Sequence, residues 1–261
     1  MQHRPKRSLG QNFLRDASVS QRIVDALDLQ PDDHIVEIGP GHGALTERLI
    51  ASGASVTAIE YDRDLAPALQ DRFATGKLTV IEADALDVDF VSINPHSAIH
   101  NPQSQKLVAN LPYNISTPIL QRLIEQREVF SRLVLMFQRE VVERITAQPG
   151  GKERGFLSVI AQNAFEIDYL FDVPPTAFYP VPKVWSAVIR LSPKPNAEDH
   201  RELREVVSQA FLQKRKTLAN NLARGHSNIA AIIKEMGLLD RIRAEQLSLD
   251  QWHDLIHRMR S

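Results

Sequence analysis

Five short β-rich runs separated by helical segments occupy residues 34–137, and this alternation constrains the fold more than any other feature. The runs lie at 34–38, 55–59, 78–81, 107–109 and 133–137. Strands of continuous apolar character that alternate with helices are typical of a parallel sheet covered on both faces. The pattern therefore predicts an α/β fold with a mostly parallel, Rossmann-like sheet.

Two more β-rich runs follow at 167–173 and 186–191, with no helical pattern assigned between them. Such a pair indicates an antiparallel hairpin, which we expect at one edge of the sheet. The segment Pro193-Lys194-Pro195 then ends the regular pattern, because proline lacks the backbone donor that strands and helices need. We therefore expect an α/β domain over residues 1–193 and a second domain over 194–261.

The second domain has a helical pattern from residue 198 onward. Its last helix places four apolar side chains at i, i+3, i+4 and i+7, namely Trp252, Leu255, Ile256 and Met259. Ser248 and Gln251 have the spacing of a capping box ahead of them. A small all-helical domain is expected. The stretch 87–106 contains no clear element and is expected to be a loop.

The composition excludes several classes of protein. The 261 residues include no cysteine, which rules out disulfides and thiolate metal sites, and the nine histidines show no metal-ligand spacing, so we expect no metal. The N-terminus is basic but lacks the apolar stretch of a secretory signal, and no run is long enough to span a membrane. We therefore expect a cytoplasmic protein without a membrane partner, and a monomer by default.

Charge is unevenly distributed along the chain. The net charge is only −1, but residues 194–261 carry 12 lysines and arginines against 9 acidic residues. A local basic patch on a nearly neutral protein is compatible with binding a phosphate backbone at a defined surface. Solvated charged faces account for the same distribution equally well.

A glycine-rich turn, Gly39-Pro40-Gly41-His42-Gly43, follows the first strand and precedes a helix. Glycines at such a turn let the backbone approach a ligand closely, and the helix N-terminus offers free N–H groups. The spacing lacks the third glycine of the dinucleotide-binding pattern G-x-G-x-x-G. A tight strand-to-helix turn without a ligand is the alternative interpretation.

Two acidic residues strengthen the interpretation as a ligand site. Glu60 ends the second strand, 21 positions after Gly39, where a carboxylate can bind both hydroxyls of a ribose. Asp84 follows the third strand. Because ligands of open parallel sheets bind beyond the carboxyl ends of the strands, the turn and both acids predict a nucleoside-binding site at one edge.

An unusual corner ends the fourth strand, where the apolar run Leu107-Val108-Ala109 meets Asn110-Leu111-Pro112-Tyr113. Proline fixes its own φ and disfavours the helical region for Leu111, so the corner is stiff and extended. It lies at the same sheet edge as the glycine turn and the acids. We expect it to present an amide and an aromatic ring to the ligand site.

The ordered motifs IVEIGPGHGALT, IEYDRDL, EADAL and NLPYNIS resemble those of the S-adenosylmethionine-dependent rRNA adenine dimethyltransferases. The segments SLGQNFLRD, PPTAFYPVPKVWSAVIRL and QKRKTLANNL extend the resemblance over essentially the whole chain. Leu9 departs from the family, in which phenylalanine is common at this position. The resemblance is greatest to the bacterial members that dimethylate two adjacent adenines near the 3′ end of 16S rRNA in the immature 30S subunit.

The resemblance implies a class I S-adenosylmethionine-dependent methyltransferase sheet and a binding site for the methyl donor. Gly39 and its turn would bind the methionine part, Glu60 the ribose and Asp84 the adenine amine. Asn12 and Leu14 would close over the donor from the N-terminal segment. The full set of expected donor-binding residues is Asn12, Leu14, Gly39, Gly41, Glu60, Asp84, Ala85 and Asn110.

The resemblance also assigns the acceptor site. The Asn110 side-chain oxygen and the Leu111 carbonyl would accept the N6 hydrogens of adenine, with Pro112 holding the corner rigid. Tyr113 would stack on the flipped base and, by the resemblance, Phe178 on its opposite face. From the residues alone, a core aromatic residue in an apolar neighbourhood explains Phe178 equally well. Four basic residues would bind rRNA phosphates, although a solvated helix end explains them as well: Lys214, Arg215, Lys216 and Arg224.

Three other functions remain possible on this pattern. A DNA adenine methyltransferase uses a similar Asn/Asp-Pro-Pro-Tyr corner, but Leu111 and the basic C-terminal region favour RNA. An NAD-dependent dehydrogenase shares the fold but lacks the third glycine and has no use for the Asn110 corner. A ribosome-assembly factor, for which binding outweighs catalysis, is the third alternative.

Overall fold

A computed structural model describes residues 5–6, 9–31, 33–74, 76–93, 105–195 and 200–260. The chain divides into two compact units. The first, which we call the catalytic unit, consists of Met1–Val142 and Glu166–Pro193. The second, the helical unit, consists of Glu143–Phe165 and Lys194–Ser261.

Nine strands occur in the described residues: β1 (Phe13–Leu14), β2 (His34–Ile38), β3 (Ser55–Glu60), β4 (Leu78–Glu82), β5 (Gln105–Asn110), β6 (Arg132–Gln138), β7 (Phe165–Val173), β8 (Phe178–Tyr179) and β9 (Ser186–Pro193). Seven of them form one sheet in the order β4-β3-β2-β5-β6-β9-β7. Strands β2 to β6 pair in parallel, whereas β9 pairs antiparallel to β6. The predicted runs are thus all strands, and the mostly parallel sheet with an antiparallel edge is confirmed.

Burial on both sheet faces explains why the central strands are so apolar. Every residue of β2 is buried, and so are the first five residues of β5. The helices between the strands are α1 (Ala17–Asp25), α2 (Thr46–Ala51), α3 (Leu65–Arg72) and α4 (Ser116–Glu125). Leu45 and Leu49, which follow the glycine turn, are buried in the core. This packing fixes the positions of the loops at the carboxyl ends of the strands.

A small two-stranded ribbon of β1 and β8 was not predicted. Phe13 lies opposite Tyr179 and Leu14 opposite Phe178 in antiparallel register. Each strand has two residues, which is too short for any periodicity to appear in the sequence. The ribbon ties the N-terminal segment to the segment that leads into β9.

The helical unit contains α6 (Phe156–Ala164), α7 (His200–Ala210), α8 (Leu218–Leu222), α9 (Ile229–Glu235) and α10 (Leu249–Arg260), while α5 (Arg139–Ile145) crosses the division between the units. Trp252, Leu255 and Ile256 are buried in its core, as their spacing predicted. The capping box is present: the Ser248 N–H donates to Gln251 Oε1 at 2.9 Å, and the Gln251 N–H donates to Ser248 Oγ at 3.2 Å.

The expected domain division differs from the observed one in one segment. The break after residue 193 coincides with an edge of the helical unit, but Glu143–Phe165 also belongs to that unit. The reason lies in α6, whose Val159 packs in the same core as Leu203 and Trp252. Sequence proximity had placed this segment in the first domain.

The expected loop at 87–106 is only partly described. Residues 87–93 form turns and irregular structure, and residues 94–104 lie outside the described part of the chain. Gln105 and Lys106 belong to β5 rather than to a loop. None of the helices in the described ranges is long and apolar enough to cross a membrane.

Candidate active site

A cavity of about 320 Å³ lies at the carboxyl ends of β2 to β5 in the catalytic unit. Its walls come from the glycine turn, the ends of β3 and β4, the corner after β5 and the N-terminal segment 9–14. Of the residues expected to bind the donor or the target base, the cavity brings together Asn12, Leu14, Gly39, Gly41, Glu60, Asp84, Ala85, Asn110, Leu111, Pro112 and Tyr113. Phe178 is not in its lining.

The glycine turn requires glycine for both conformation and space. Gly39 and Gly41 have φ of +66° and +56°, a region that side chains with a Cβ rarely adopt. A Cβ on Gly41 would lie 2.9 Å from the ring of Phe13. The N-terminal segment can therefore approach the turn only because Gly41 has no side chain.

Glu60 is held rigidly at the end of β3. Its Oε2 accepts the Gly41 N–H at 3.0 Å, and its Oε1 accepts the Asp62 N–H at 2.8 Å. Burial raises the pKa of Glu60, and the two N–H donors oppose that rise. Each oxygen keeps further lone-pair capacity, so the carboxylate can accept a pair of ligand hydroxyls from a fixed position.

Glu37 is a functional candidate that the sequence analysis missed. It is buried in β2, lines the cavity, and accepts the hydroxyl of Thr46 at 2.6 Å. Burial raises its pKa to about 7, and the charge of Glu60 adds to the rise, whereas Thr46 opposes it. An acid within an otherwise apolar strand was the available signal, because a charged residue is almost never fully buried without a reason.

Asp84 and Ala85 form the wall after β4. The Leu86 N–H donates to Asp84 Oδ1 at 2.9 Å, which orients the half-buried carboxylate. Its second oxygen can accept an amine hydrogen of a ligand. Glu60 and Asp84 are therefore separate carboxylate acceptors at successive strand ends, as the sequence predicted.

The corner after β5 is fixed on both sides. The Asn110 side-chain N–H donates to the Asn12 carbonyl at 3.2 Å, which leaves the amide oxygen as an acceptor. The Leu111 N–H donates to the Met136 carbonyl at 3.3 Å, so β6 holds the corner backbone. Two acceptors, the Asn110 side-chain oxygen and the Leu111 carbonyl, thus come from adjacent residues beside the cavity.

Tyr113 is held through its hydroxyl. The hydroxyl lies 2.9 Å from Oγ of Ser186, a fully buried residue at the start of β9. Burial raises the pKa of Tyr113 and the bond to Ser186 opposes the rise, so the phenol is neutral near pH 7. Ser186 lies in a segment that carried the family resemblance, but only the fold reveals its contact with Tyr113.

Phe178 does not line the cavity. Its side chain is 2% exposed and belongs to the apolar core that includes Leu14, its partner across the ribbon. In β8 successive side chains alternate, so the buried Phe178 is followed by the exposed Tyr179. A role of Phe178 at the target base therefore stays a prediction, and in this structure its ring packs in the core.

The N-terminal wall of the cavity is fastened by an ionic cluster that was not predicted. Lys6 Nζ lies 2.6 Å from both Asp62 Oδ1 and Asp64 Oδ2, and the Gln11 amide donates to Asp62 Oδ2 at 2.8 Å. Burial disfavours ionisation of Asp62, but the bonds from Lys6 and Gln11 outweigh it and lower its pKa to about 2. The cluster joins Lys6 and Gln11 to the loop after β3.

The basic residues expected to bind RNA lie in the helical unit. Lys214, Arg215 and Lys216 are exposed in the turn between α7 and α8, and Arg224 is exposed just after α8. They lie outside the helices rather than at a helix end. Among the described residues, no carboxylate forms an ion pair with these four cations.

The described residues also contain no group of three or more histidine, aspartate or glutamate side chains that could hold a metal ion.

Fold and site together define the class of the protein. If the strands of this sheet are numbered in chain order with β2 as strand 1, their order is 3-2-1-4-5-7-6, and strand 7 (β9) pairs antiparallel to strand 5 (β6). The ligand cavity lies at the point where the order reverses. This is the Rossmann-like sheet of class I methyltransferases. The family model described as "Ribosomal RNA adenine dimethylase" matches residues 2–261. The chain belongs to this family, as its motifs predicted.

Relatives and solved structures agree with this assignment. "Ribosomal RNA small subunit methyltransferase A" of Syntrophotalea carbinolica is 46% identical over 98% of this chain and 97% of its own length. The protein of the same name from Pseudomonas fluorescens is 44% identical over 95% of this chain and 91% of its own length.

Two solved structures share the fold over nearly the whole chain. A dimethyladenosine transferase from Plasmodium falciparum superposes with a TM-score of 0.81 at 24% identity, covering 95% of this chain and 97% of its own. The 23S rRNA methyltransferase ErmE has a TM-score of 0.73 at 26% identity, covering 96% of this chain and 100% of its own. The expected fold class is therefore confirmed.

Proposed function

We propose that this protein transfers methyl groups from S-adenosylmethionine to the N6 amines of two adjacent adenines near the 3′ end of 16S rRNA. The observation that carries the proposal is one cavity in which a nucleoside-type carboxylate site meets the Asn110–Tyr113 corner. Relatives named as small-subunit rRNA methyltransferases, up to 46% identical over 98% of the chain, support the choice of substrate.

The donor fits the acceptor groups of the cavity. Glu60 is fixed to accept two ribose hydroxyls, and Asp84 to accept the amine of the donor's adenine. The glycine turn receives the methionine part, and Asn12 and Leu14 cover the donor from the N-terminal segment. When bound, the donor supplies an electrophilic methyl group.

The chemical difficulty lies in the target amine, whose lone pair is delocalised into the adenine ring. In the first transfer the Asn110 side-chain oxygen and the Leu111 carbonyl accept its two hydrogens and so localise the lone pair. In the second transfer one hydrogen remains, and one of the two acceptors receives it. Pro112 restricts the backbone that presents these acceptors, which keeps the amine aligned with the methyl group. No strong base is required, because the amine becomes acidic once it is alkylated.

Tyr113 stacks on the target base after the base leaves the RNA stack. The bond from Ser186 holds the phenol ring in place before the base arrives. Phe178 supplies the opposite face in this proposal. That role requires the Phe178 ring, 2% exposed here, to become exposed when the base enters.

Outside the cavity, the cations of the helical unit bind the phosphates of the rRNA substrate in this proposal. Lys214, Arg215, Lys216 and Arg224 are exposed and can contact phosphates without breaking an ion pair. We propose that the protein acts in the cytoplasm as a monomer on an immature 30S subunit. It uses no metal in this proposal.

Purified protein, labelled donor and immature 30S particles test the proposal. We expect label in dimethyladenosine at two adjacent positions near the 3′ end of 16S rRNA. Duplex DNA rich in adenine serves as a second substrate, and label there instead would favour the DNA methyltransferase alternative. Absence of label in any adenine, alongside an active control enzyme, would refute the proposal.

A further inference from the structure

A short segment of the catalytic unit exposes an unusual amount of apolar surface. Among the described residues, four of the nine exposed large hydrophobic side chains fall within Tyr179–Trp185, which we call the exposed loop: Tyr179, Val181, Val184 and Trp185. Trp185 is 48% exposed and Tyr179 is 47% exposed. Clustered exposed aromatic residues in a soluble protein mark an interaction surface.

Both ends of the exposed loop are fixed beside the cavity. Phe178, immediately before it, pairs with Leu14, which lines the cavity. Ser186, immediately after it, contacts the hydroxyl of Tyr113. The Trp185 carbonyl also accepts the Arg139 N–H at 2.9 Å. A ligand that lies on the exposed loop is therefore next to the base site.

The charge around the exposed loop suits a nucleic acid. Residues 174–193 contain Lys183 and Arg190 but no acidic residue. The Arg15 guanidinium lies 4.0 Å from the centre of the Tyr179 ring, which places a cation directly on an exposed aromatic residue. Arg190 pairs with Asp168, and Arg139, whose backbone N–H bonds Trp185, pairs with Asp172. Arg15 and Lys183 are the nearby cations for which the described residues show no carboxylate partner.

We propose that the exposed loop is a stacking platform for unpaired RNA bases that flank the target adenine, with Trp185 and Tyr179 as its stacking side chains. Aromatic residues with neighbouring cations are the common means of holding single-stranded RNA without reading its sequence. The proposal rests on the proposed function, since it assumes an RNA base in the cavity, and it adds a subsite outside the cavity. Pro180 and Pro182 restrict the backbone of the exposed loop, so the loop loses less conformational entropy when RNA binds.

Tryptophan fluorescence tests the platform directly, because the chain has only two tryptophans and Trp252 is buried in the helical unit. Titration with a single-stranded oligoadenylate of about ten nucleotides should quench the emission of Trp185. In Trp185→Phe the remaining emission of Trp252 should not respond. The same oligoadenylate paired with oligouridylate should quench far less, because its bases are already stacked.

Affinity of a labelled oligoadenylate, measured by anisotropy, gives the energetic test. Trp185→Ala should weaken binding roughly 10-fold, and Tyr179→Ala by a similar factor. Tyr169→Ala is the matched control, because Tyr169 is 46% exposed in the same unit but lies outside the exposed loop, and it should bind normally. Unchanged affinity in Trp185→Ala, with circular dichroism showing a folded protein, would overturn the platform and leave a protein partner as its occupant.

Methylation kinetics on immature 30S particles separate this proposal from the proposed function. We expect Trp185→Ala to raise the KM for the particle several-fold while kcat stays within about twofold of wild type. A wild-type protein that labels no adenine refutes the proposed function. A wild type that labels adenine while Trp185→Ala matches it in both KM and kcat refutes only the platform.

Discussion

The hydroxyl of Tyr113 lies 2.9 Å from Oγ of the fully buried Ser186. This bond connects the corner after β5 to the first residue of β9, across 73 positions of sequence. It fixes the phenol ring at one end, while the backbone of the neighbouring Leu111 is bonded to β6. If Tyr113 stacks on the target base as proposed, its ring is held in position before the base arrives.

Removing that contact tests whether it positions the ring. Ser186→Ala should lower kcat several-fold, leave the dissociation constant for the donor unchanged, and cost about 1 kcal/mol in the free energy of unfolding. Because the bond to Ser186 opposes the burial-driven rise in the Tyr113 pKa, that pKa should rise further in Ser186→Ala. A pH titration followed by ultraviolet absorbance measures tyrosine ionisation, and the same titration of Tyr113→Phe shows which part of the absorbance change comes from Tyr113.

The double variant Ser186→Ala/Tyr113→Phe is the control for this pair. If the hydroxyls act through each other, the double variant should be little worse than either single variant. Fully additive losses in kcat would show that Ser186 does not act through Tyr113.

The raised pKa of Glu37 predicts how stability depends on pH. Because burial raises its pKa from an ordinary 4.5 to about 7, its stabilising contribution is complete below pH 4.5 and is lost as the pH rises through 7. The free energy of unfolding of Glu37→Gln, relative to that of the wild type, should therefore rise by roughly 3 kcal/mol between pH 4.5 and pH 8. Denaturant unfolding of both proteins across that range measures the difference, and parallel pH curves would contradict the assignment.

The sequence was sufficient to predict elements whose signal is local. The apolar runs predicted the strands, and the expected order of the strand ends correctly predicted that Glu60, Asp84 and Asn110 lie at one cavity. Long-range contacts had no such signal. The Tyr113–Ser186 bond and the two-residue ribbon depend on which strands become neighbours, and no periodicity records that.

Two further differences have physical reasons of the same kind. For Phe178 the sequence left a base-stacking role and a core position open, and the alternation of β8 buries its side chain in the core of this structure. The segment 143–165 follows the α/β pattern in sequence but packs its apolar face against helices from beyond residue 194. Burial of an apolar face, rather than position along the chain, decides which unit a helix joins.

The ionic cluster at Lys6 predicts the lifetime of the donor complex. Lys6 bonds Asp62 and Asp64, and it precedes the segment 9–14 that lines the cavity. Lys6→Ala should speed donor dissociation several-fold in stopped-flow displacement, and high salt should have a similar effect on wild type because the lysine is partly exposed. Lys234→Ala on α9 is the control. An equal increase in the donor dissociation rate of that variant would show that the ionic cluster does not hold the donor complex.

Phe178 has two separable roles, core packing and the proposed stacking. Phe178→Ala should destabilise the protein by about 3–5 kcal/mol, because the ring is buried in the core. Phe178→Leu should lose much less stability but, if the ring stacks on the target, raise the KM for the 30S particle. Chemical denaturation and steady-state kinetics on both variants measure the two effects. A Phe178→Leu enzyme with wild-type kinetics would show that Phe178 serves packing alone.

Separating donor binding from methyl transfer at Asn110 tests the central claim most directly. Asn110→Ala removes the side-chain acceptor, while the acids that would hold the donor, Glu60 and Asp84, stay in place. We predict a loss of methyl transfer of at least about 100-fold, by analogy with the loss of one preorganised polar group, and a donor dissociation constant within a few-fold of wild type by calorimetry. Asn110→Asp, which keeps acceptor oxygens, should retain more activity than Asn110→Ala. Equal loss of donor binding and methyl transfer in Asn110→Ala would contradict the division of the cavity into a donor site and an amine-accepting corner.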